Sequence, residues 1–161
     1  MGDTMKFSDF ICYEAVVPQL TSSDRDTAIT ELVESLHRQG RFGDADCEII
    51  TKGVISRERE ASTGIGKGVA VPHVKNNAVK DVVATVGLCG TGIDFSALDK
   101  LPVYSIILLI SPADNPDKHL QAMKKIFGHL QQEKFRKFLR QCQNAEQIKD
   151  LLTEADENPS L

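Results

Sequence analysis

STGIGKGVAVPH, residues 62–73, joins a glycine-rich segment to a short apolar run and a Pro-His pair. Glycine adopts turn conformations that other residues disfavour, and it leaves neighbouring peptide N–H groups accessible. The run Val69-Ala70-Val71 predicts a short buried strand, and Pro72, which has no N–H to donate, suits the end of that strand. His73 is then expected at the rim of a sheet, where an imidazole can accept and release a phosphoryl group.

Two better-known phosphate-binding motifs do not fit this stretch. Its glycines lack the G-x-G-x-x-G spacing, and a strand follows where a dinucleotide-binding motif needs a helix. A Walker A motif needs Ser or Thr directly after Lys67, but Gly68 stands there. Spacing alone therefore leaves open that His73 is an ordinary residue at a strand end. The functional alternative is an anion-binding loop beside His73, whose backbone N–H groups come from Ser62, Thr63, Gly64, Gly66 and Gly68.

The composition of the 161-residue chain narrows the class of protein. Hydrophobic residues make up 41% of the chain, which is enough for one domain with a real core. The net charge is −4, only 6% of residues are aromatic and no basic block occurs, which argues against nucleic-acid binding. No apolar run approaches the ~20 residues of a membrane span, and the N-terminus lacks a signal-peptide pattern. We expect a cytoplasmic protein that does not insert into a membrane.

The cysteines and histidines form no recognisable metal, redox or nucleophile motif. No two cysteines have the C-x-x-C spacing, and the H-E-x-x-H and G-x-S-x-G motifs are absent. A zinc site would have to be assembled from distant segments. We therefore expect reduced, packed cysteines and neither a metal nor a cofactor. The residues concerned are Cys12, Cys47, Cys89, Cys142, His37, His73, His119 and His129.

Helix signals cluster at both ends of the chain, around a strand-rich middle. A periodic apolar set that follows Ser22 and Ser23 predicts a capped helix ending near Gly40. The continuous apolar run 103–110 predicts a central strand covered on both faces. This pattern predicts an α/β fold in three layers, with helices on both faces of a sheet. Further strands are predicted over 11–20 and 82–89, further helices over 44–59, 118–130, 135–139 and 144–152, and a disordered acidic tail over 153–161.

His119 and Arg57 are further candidate functional residues. His119 follows the strand 103–110 and lies in the first turn of the next helix, for which Asp117 is the expected N-cap. In open α/β sheets ligand groups collect at strand ends and helix starts, so His119 could meet His73. Arg57 precedes the glycine stretch, and its guanidinium suits phosphoryl oxygens. The alternatives are an exposed first-turn histidine and an arginine on a solvated helix end.

Seven segments spread along the chain carry a family resemblance. They are Arg57-Glu58, Ser62-Thr63-Gly64-Ile65-Gly66-x-Gly68-Val69-Ala70-Val71-Pro72-His73, Gly92-Ile93-Asp94-Phe95, Leu98-Asp99, Pro102-Val103, Leu108-Leu109-Ile110-Ser111-Pro112 and His119-Leu120. Together they resemble the type-2 IIA component of the bacterial phosphotransferase system, the fructose/mannitol and nitrogen-regulatory IIA family. The resemblance covers roughly residues 7–152, which we expect to form a single domain. It implies a mixed β-sheet with helices on both faces, an α/β fold of the α+β type.

The resemblance also implies a phosphotransferase activity. It implies that His73 accepts a phosphoryl group from an HPr-like phosphocarrier, that His119 is the second active-site histidine and that Arg57 neutralises the phosphate. One position departs from the family pattern, because Lys67 stands where mannitol-type members have an acidic residue. A cation beside the site would favour the phosphorylated form.

Two functions within the family remain open at this point. No IIB or IIC segment is attached to the domain, which favours a free-standing nitrogen-regulatory protein that acts on a regulatory target protein. The alternative is a sugar-specific IIA component of the fructose/mannitol type, which passes the phosphoryl group to a cysteine of a IIB domain for sugar uptake. Both functions use the same histidine chemistry.

Overall fold

The computed structural model describes residues 5–161, which form helices and a sheet in three layers. The helices are α1 (Arg25–Arg38), α2 (Asp44–Glu60), α3 (Pro116–Leu130), α4 (Glu133–Gln141) and α5 (Ala145–Glu157), and two short 3-10 turns precede them. The strands are β1 (Gly64–Gly66), β2 (Val69–Ala70), β3 (His73–Lys75), β4 (Val83–Ile93) and β5 (Val103–Ser111). None of the helices within residues 5–161 is both long enough and apolar enough to cross a membrane.

Strand β5 is the centre of a mixed sheet. On one side β4 pairs with it in the antiparallel direction. On the other side β2 and β3 both run parallel to β5, with Val69 opposite Ser105 and His73 opposite Leu109. The two short strands keep the same offset from β5, so they form one line that is interrupted only around Pro72. Strand β1 adds to the outer edge, antiparallel to β2.

The two faces of the sheet carry separate hydrophobic clusters. One cluster packs α1 and α2 against Ile106, Leu108 and Ile110 of β5. The other packs α3, α4 and α5 against Ile107 and Leu109. Successive side chains of a strand point to opposite faces, so the continuous apolar run of β5 is buried on both sides. The prediction of a central strand covered by helices on both faces is confirmed.

Side-chain caps start three of the helices. Asp24 caps α1 and accepts a hydrogen bond from the Thr27 N–H, so the serine cap predicted from the sequence is wrong by one or two residues. Asn115 caps α3 where Asp117 was expected, because Pro116 occupies the first helical position. Asn144 caps α5 as predicted. The cap of α3 is the one that matters for the site, because it decides where His119 lies.

Both ends of the described chain differ from the sequence predictions. The predicted strand over 11–20 is a 3-10 turn with single bridges from Ile11 and Val17 to β4. The segment 153–161, predicted to be disordered, continues α5 to Glu157. Its Asp156 accepts a hydrogen bond from the Phe7 N–H at 2.7 Å and pairs with Lys125 at 3.2 Å. The acidic composition of this segment suggested that it would be solvated. The Asp156 carboxylate is paired instead, and Leu161 is buried in the core.

Candidate active site

His73 begins β3, and its ring is oriented by its own strand. The Nδ1 atom lies 2.9 Å from the carbonyl oxygen of Val71. A carbonyl oxygen can only accept, so Nδ1 carries the proton and donates it. In the neutral ring the lone pair is then on Nε2. The backbone geometry before Pro72 thus selects the tautomer in which Nε2 is free to act as a nucleophile.

His119 lies beside His73, at the start of α3. The two ring centroids are 5.5 Å apart with an interplanar angle of 51°. Strand β3 and helix α3 reach the same end of the sheet. Strand β3 pairs with the last residues of β5, and α3 starts a few residues after β5 ends at Ser111. The predicted proximity of the two imidazoles is confirmed. Two histidines that are distant in sequence therefore face one small region at the edge of β3.

A buried serine holds the ring of His119. The Oγ atom of Ser111 lies 2.7 Å from Nδ1 of His119, and the serine is fully buried at the end of β5. A hydroxyl can donate or accept, so this contact is compatible with either tautomer of His119. When Ser111 donates, the proton of the neutral imidazole is on Nε2. His119 can then donate a hydrogen bond from Nε2.

Both imidazoles are biased toward the neutral form. Burial lowers the pKa of His73 below its usual value, the hydrogen bond to Val71 opposes this, and the nearby Arg57 guanidinium lowers the pKa further. Burial lowers the pKa of His119 to about 4, and the proximity of His73 and Lys75 adds to the shift. A cationic imidazole would lose solvation here and would meet other cations. At neutral pH His73 therefore keeps its lone pair.

Helix α2 brings Arg57 to the site. The helix packs closely on β3, since a Cβ atom at Gly53 would lie only 3.0 Å from the Val74 side chain. Arg57 lies one turn further along α2, and its Nη1 donates to the Ala61 carbonyl at 2.9 Å. Its other N–H groups donate to no acceptor within residues 5–161. The guanidinium is thus held through Nη1 and keeps its other N–H donors available within residues 5–161. Its positive charge lowers the pKa of His73.

A buried carboxylate organises the segment between α2 and β1. Glu58 is 1% exposed and accepts from both the N–H and the hydroxyl of Thr63, at 2.6 and 2.7 Å. Ser62 donates its hydroxyl to the Phe95 carbonyl and accepts from the Gly64 N–H. Both hydroxyls of the predicted phosphate loop therefore have partners inside the protein. Their observed role is to hold the short connection that joins the end of α2, which carries Arg57, to strand β1.

The glycines of the predicted phosphate loop form a hairpin between β1 and β2. Lys67 and Gly68 have φ values of 62° and 80° and occupy its turn, as in a two-residue turn of type I′. The Gly68 carbonyl accepts from the N–H groups of Tyr104 and Ser105, at the start of β5, whereas His73 pairs near the end of β5.

The four residues 69–72 separate this turn from His73, which corresponds to roughly 15 Å of extended chain. The structure therefore does not bring Gly66, Lys67 or Gly68 to His73. The sequence interpretation of Lys67 as a cation beside the site is wrong for the same reason. Gly64 lies one residue closer to His73 along β2, because it pairs with Ala70, whereas Gly66 pairs with Val69.

The chain matches the family model described as "Phosphoenolpyruvate-dependent sugar phosphotransferase system, EIIA 2" over residues 9–155. The chain belongs to this family. Members of the EIIA 2 family are phosphotransfer proteins, and this domain shares the α/β fold of its solved relatives.

Three similar proteins show the range of the EIIA 2 family. A "PTS system fructose-specific EIIA component" of Haloferax volcanii is 28% identical over 96% of this chain and 99% of its own length. The "PTS system fructose-specific EIIABC component" of Bacillus subtilis is 26% identical over 94% of this chain, which spans 24% of that longer protein. The crystal structure of nitrogen regulatory protein IIA-Ntr from Neisseria meningitidis has a TM-score of 0.80 and 25% identity, and the match covers 91% of this chain and 98% of that one.

Sequence reasoning missed three residues of this candidate site. Ser111 holds His119, Lys75 lowers the pKa of both histidines, and the Val71 carbonyl selects the tautomer of His73. Ser111 and Lys75 are opposite each other at the ends of β5 and β3. Their positions at strand ends were visible in the sequence. Their contacts were not, because they depend on which strands are neighbours.

Proposed function

We propose that this protein is a phosphohistidine carrier that accepts a phosphoryl group on Nε2 of His73 from an HPr-like phosphocarrier. The observation that supports this most directly is the hydrogen bond from Nδ1 of His73 to the Val71 carbonyl. It leaves Nε2 as the unprotonated nitrogen, in a ring whose low pKa keeps it neutral. Membership of the EIIA 2 family supports the same chemistry.

In the proposed transfer, the Nε2 lone pair attacks the phosphorus atom of the phosphorylated donor. The bond between nitrogen and phosphorus forms while the bond from phosphorus to the donor's leaving atom breaks, and the donor keeps that electron pair. The ring of His73 becomes more positive as the new bond forms. The Val71 carbonyl, which already accepts the Nδ1 proton, stabilises that charge.

Arg57 and His119 act on the phosphoryl oxygens in this proposal. Arg57 has N–H donors left after its bond to Ala61, and a guanidinium matches the geometry of phosphoryl oxygens. His119 donates from Nε2 when Ser111 donates to its Nδ1. Both groups stabilise negative charge where it is concentrated during transfer. His73 is the nucleophile, and the other two are supporting donors.

The direct test is incubation of the purified protein with enzyme I, HPr and phosphoenolpyruvate, followed by intact-mass measurement. We expect one added phosphoryl group that is acid-labile, as expected for a phosphohistidine. Omission of HPr is the control and should leave the mass unchanged. No phosphoryl group on the native protein, or an acid-stable one, would contradict the proposal.

Within the family we propose a nitrogen-regulatory role in the cytoplasm, where phosphoenolpyruvate is made and used. The likeness to the Neisseria IIA-Ntr structure over nearly the whole chain supports it. The second candidate is a sugar-specific IIA component that passes the phosphoryl group to a IIB cysteine. The similarity to the Haloferax fructose-specific component, which the chain covers almost completely, favours this candidate.

A discharge assay separates the two roles. The phosphorylated protein is mixed with a purified fructose-type or mannitol-type IIB domain, and the mass of both proteins is followed with time. Rapid transfer to the IIB cysteine would favour the sugar-specific role. A stable phosphorylated protein that keeps its phosphoryl group would favour the regulatory role. A IIB domain whose cysteine is replaced by serine is the control for non-enzymatic hydrolysis.

A further inference from the structure

A pocket lies at the opposite end of β5 from the two histidines. It has a volume of about 280 Å³. Its walls are the hairpin turn at Lys67 and Gly68, the start of β5 and one side of α4. Typical ligand pockets have volumes of ~300–1,000 Å³, so this one suits a small ligand. It is separated from His73 by roughly 15 Å of extended chain.

Three cationic side chains line this pocket, namely Lys67, Arg136 and Arg140, and no acidic residue within residues 5–161 does. The carboxylate of Asp99 accepts the backbone N–H of Lys67 and that of Leu101. It therefore holds the backbone of the turn. Within residues 5–161 none of the three cationic side chains is paired with a carboxylate. Three unpaired cations around a small concavity produce a positive potential there.

Two of these cations are held in place. The Arg140 guanidinium stacks on the Tyr104 ring at 3.5 Å from its centroid, which leaves its N–H edge available for a ligand. Arg136 donates through Nη1 to the Leu130 carbonyl at 2.7 Å, which fixes the orientation of its guanidinium group. Donors that are already positioned lose less conformational entropy when they bind an anion.

The pocket also offers a hydroxyl that has no protein partner among residues 5–161. Ser105 lines the pocket and is 3% exposed. Across residues 5–161 its hydroxyl makes no hydrogen bond, although the Ser105 N–H is bonded to the Gly68 carbonyl at 3.1 Å. A ligand oxygen in the pocket would supply that partner.

We propose that this pocket binds a small phosphorylated anion, such as inorganic phosphate or a phosphate monoester, as a non-covalent ligand. Arg140 and Arg136 of α4 donate hydrogen bonds to its oxygens. Lys67 contacts it from the hairpin turn, and the Ser105 hydroxyl donates to it from the start of β5. The tetrahedral oxygens of a phosphate can contact donors on several sides at once, which fits cations that come from a turn and a helix. This site does not depend on phosphotransfer at His73.

The test is an NMR titration of ¹⁵N-labelled, unphosphorylated protein with inorganic phosphate, without enzyme I or HPr. Sodium chloride at matched ionic strength is the control titration. We expect saturable shifts of the Gly68, Tyr104 and Ser105 amide signals with phosphate but not with chloride. The variant Arg140→Gln should raise the Kd about tenfold, since it removes a charge-assisted contact.

Matched variants make the result specific to this pocket. Ser105→Ala should also weaken binding, by a few-fold, while Lys137→Gln on the exposed side of α4 should change the Kd less than twofold. If Arg140→Gln does not fold, Lys67→Gln in the exposed turn replaces it. The proposal is overturned if no saturable shift occurs, if the only shifts are at His73 and His119, or if Lys137→Gln weakens binding as much as Arg140→Gln. It is equally overturned by an adventitious response that chloride reproduces.

Discussion

The two ends of β5 carry the same residue in two different environments. Ser105 and Ser111 have the same strand parity, so they lie on the face of the sheet that α3, α4 and α5 cover. Both are buried. The hydroxyl of Ser111 is paired with His119 of α3, whereas that of Ser105 faces arginines of α4 and has no partner among residues 5–161.

The difference shows how neighbouring helices give one strand two chemistries. At the Ser111 end, burial and nearby cations keep two imidazoles neutral, which suits a nucleophile and a hydrogen-bond donor. At the Ser105 end the helix supplies guanidinium groups, which stay charged under all ordinary conditions and suit binding rather than transfer. In our proposals the end of β5 with neutral histidines serves phosphoryl transfer, and the end with fixed cations serves the binding of an anion.

The largest expected effect is the loss of labelling in His73→Gln. Glutamine keeps a polar side chain of similar reach but has no nucleophilic nitrogen, so phosphorylation by HPr should fall below detection. Intact-mass spectrometry after incubation with enzyme I, HPr and phosphoenolpyruvate measures this. Ser105→Ala, at the other end of β5, should be labelled at a rate within twofold of the native protein. If His73→Gln is still labelled, another residue accepts the phosphoryl group. The two ends of β5 would then no longer differ in the way that we propose.

Arg57→Ala should slow phosphoryl transfer about 100-fold, because it removes a charged donor from the transferring group. Thermal stability should change little, since within residues 5–161 the Arg57 side chain makes a single hydrogen bond, at a helix end. Rapid-quench kinetics and a thermal melt measure the two effects.

The control for Arg57 is Arg59→Ala on the same helix. Arg59 pairs with Asp26 at 2.7 Å, so its loss should leave transfer unchanged. An Arg57→Ala variant with normal transfer and a much lower Tm would show that Arg57 is structural.

His119→Ala should reduce transfer about tenfold, and Ser111→Ala somewhat less, since each removes or disorders one hydrogen bond to the phosphoryl group. Ser111→Thr keeps the hydroxyl and should restore the rate. In ¹⁵N spectra of the imidazole rings, Ser111→Ala should change the tautomer balance of His119 without changing that of His73. If Ser111→Ala leaves both the rate and the His119 spectrum unchanged, the serine has no role beyond packing.

The smallest expected effect concerns stability against pH. The pKa of His119 is about 4 in the folded protein and about 6.5 when unfolded. Between these values the unfolded chain binds more protons, so the free energy of unfolding falls as the pH is lowered through this window.

Replacement His119→Asn should therefore make the decrease in Tm from pH 7 to pH 5 smaller, by on the order of 1–2 °C, since the ring is only half-buried and solvent screens the effect. The Tm difference between the two proteins at pH 8 provides the baseline. An identical Tm decrease in both proteins would contradict a lowered pKa for His119.

The order of the main elements could be predicted from local patterns, and the exceptions have identifiable causes. The run 103–110 was apolar enough to indicate a doubly covered strand, and α2 and α3 were predicted within a few residues of their observed bounds. The segment 11–20 was assigned to a strand, because its apolar residues were visible but its two single bridges to β4 were not. The segment 153–161 was expected to be disordered, because the pairing of Asp156 with Lys125 and the Phe7 N–H joins distant parts of the chain.

By itself, the sequence determined the types of the main helices and strands, the end of a strand at Pro72 and the presence of two histidines and an arginine at element ends. These follow from local propensity, periodicity and the missing N–H of proline, which act over a few residues. Only the tertiary structure decided that His73 and His119 lie 5.5 Å apart and that Lys67 lies at the other end of β5. The register between β3 and β5 and the packing of α3 and α4 set these distances, because they join residues that no local pattern connects.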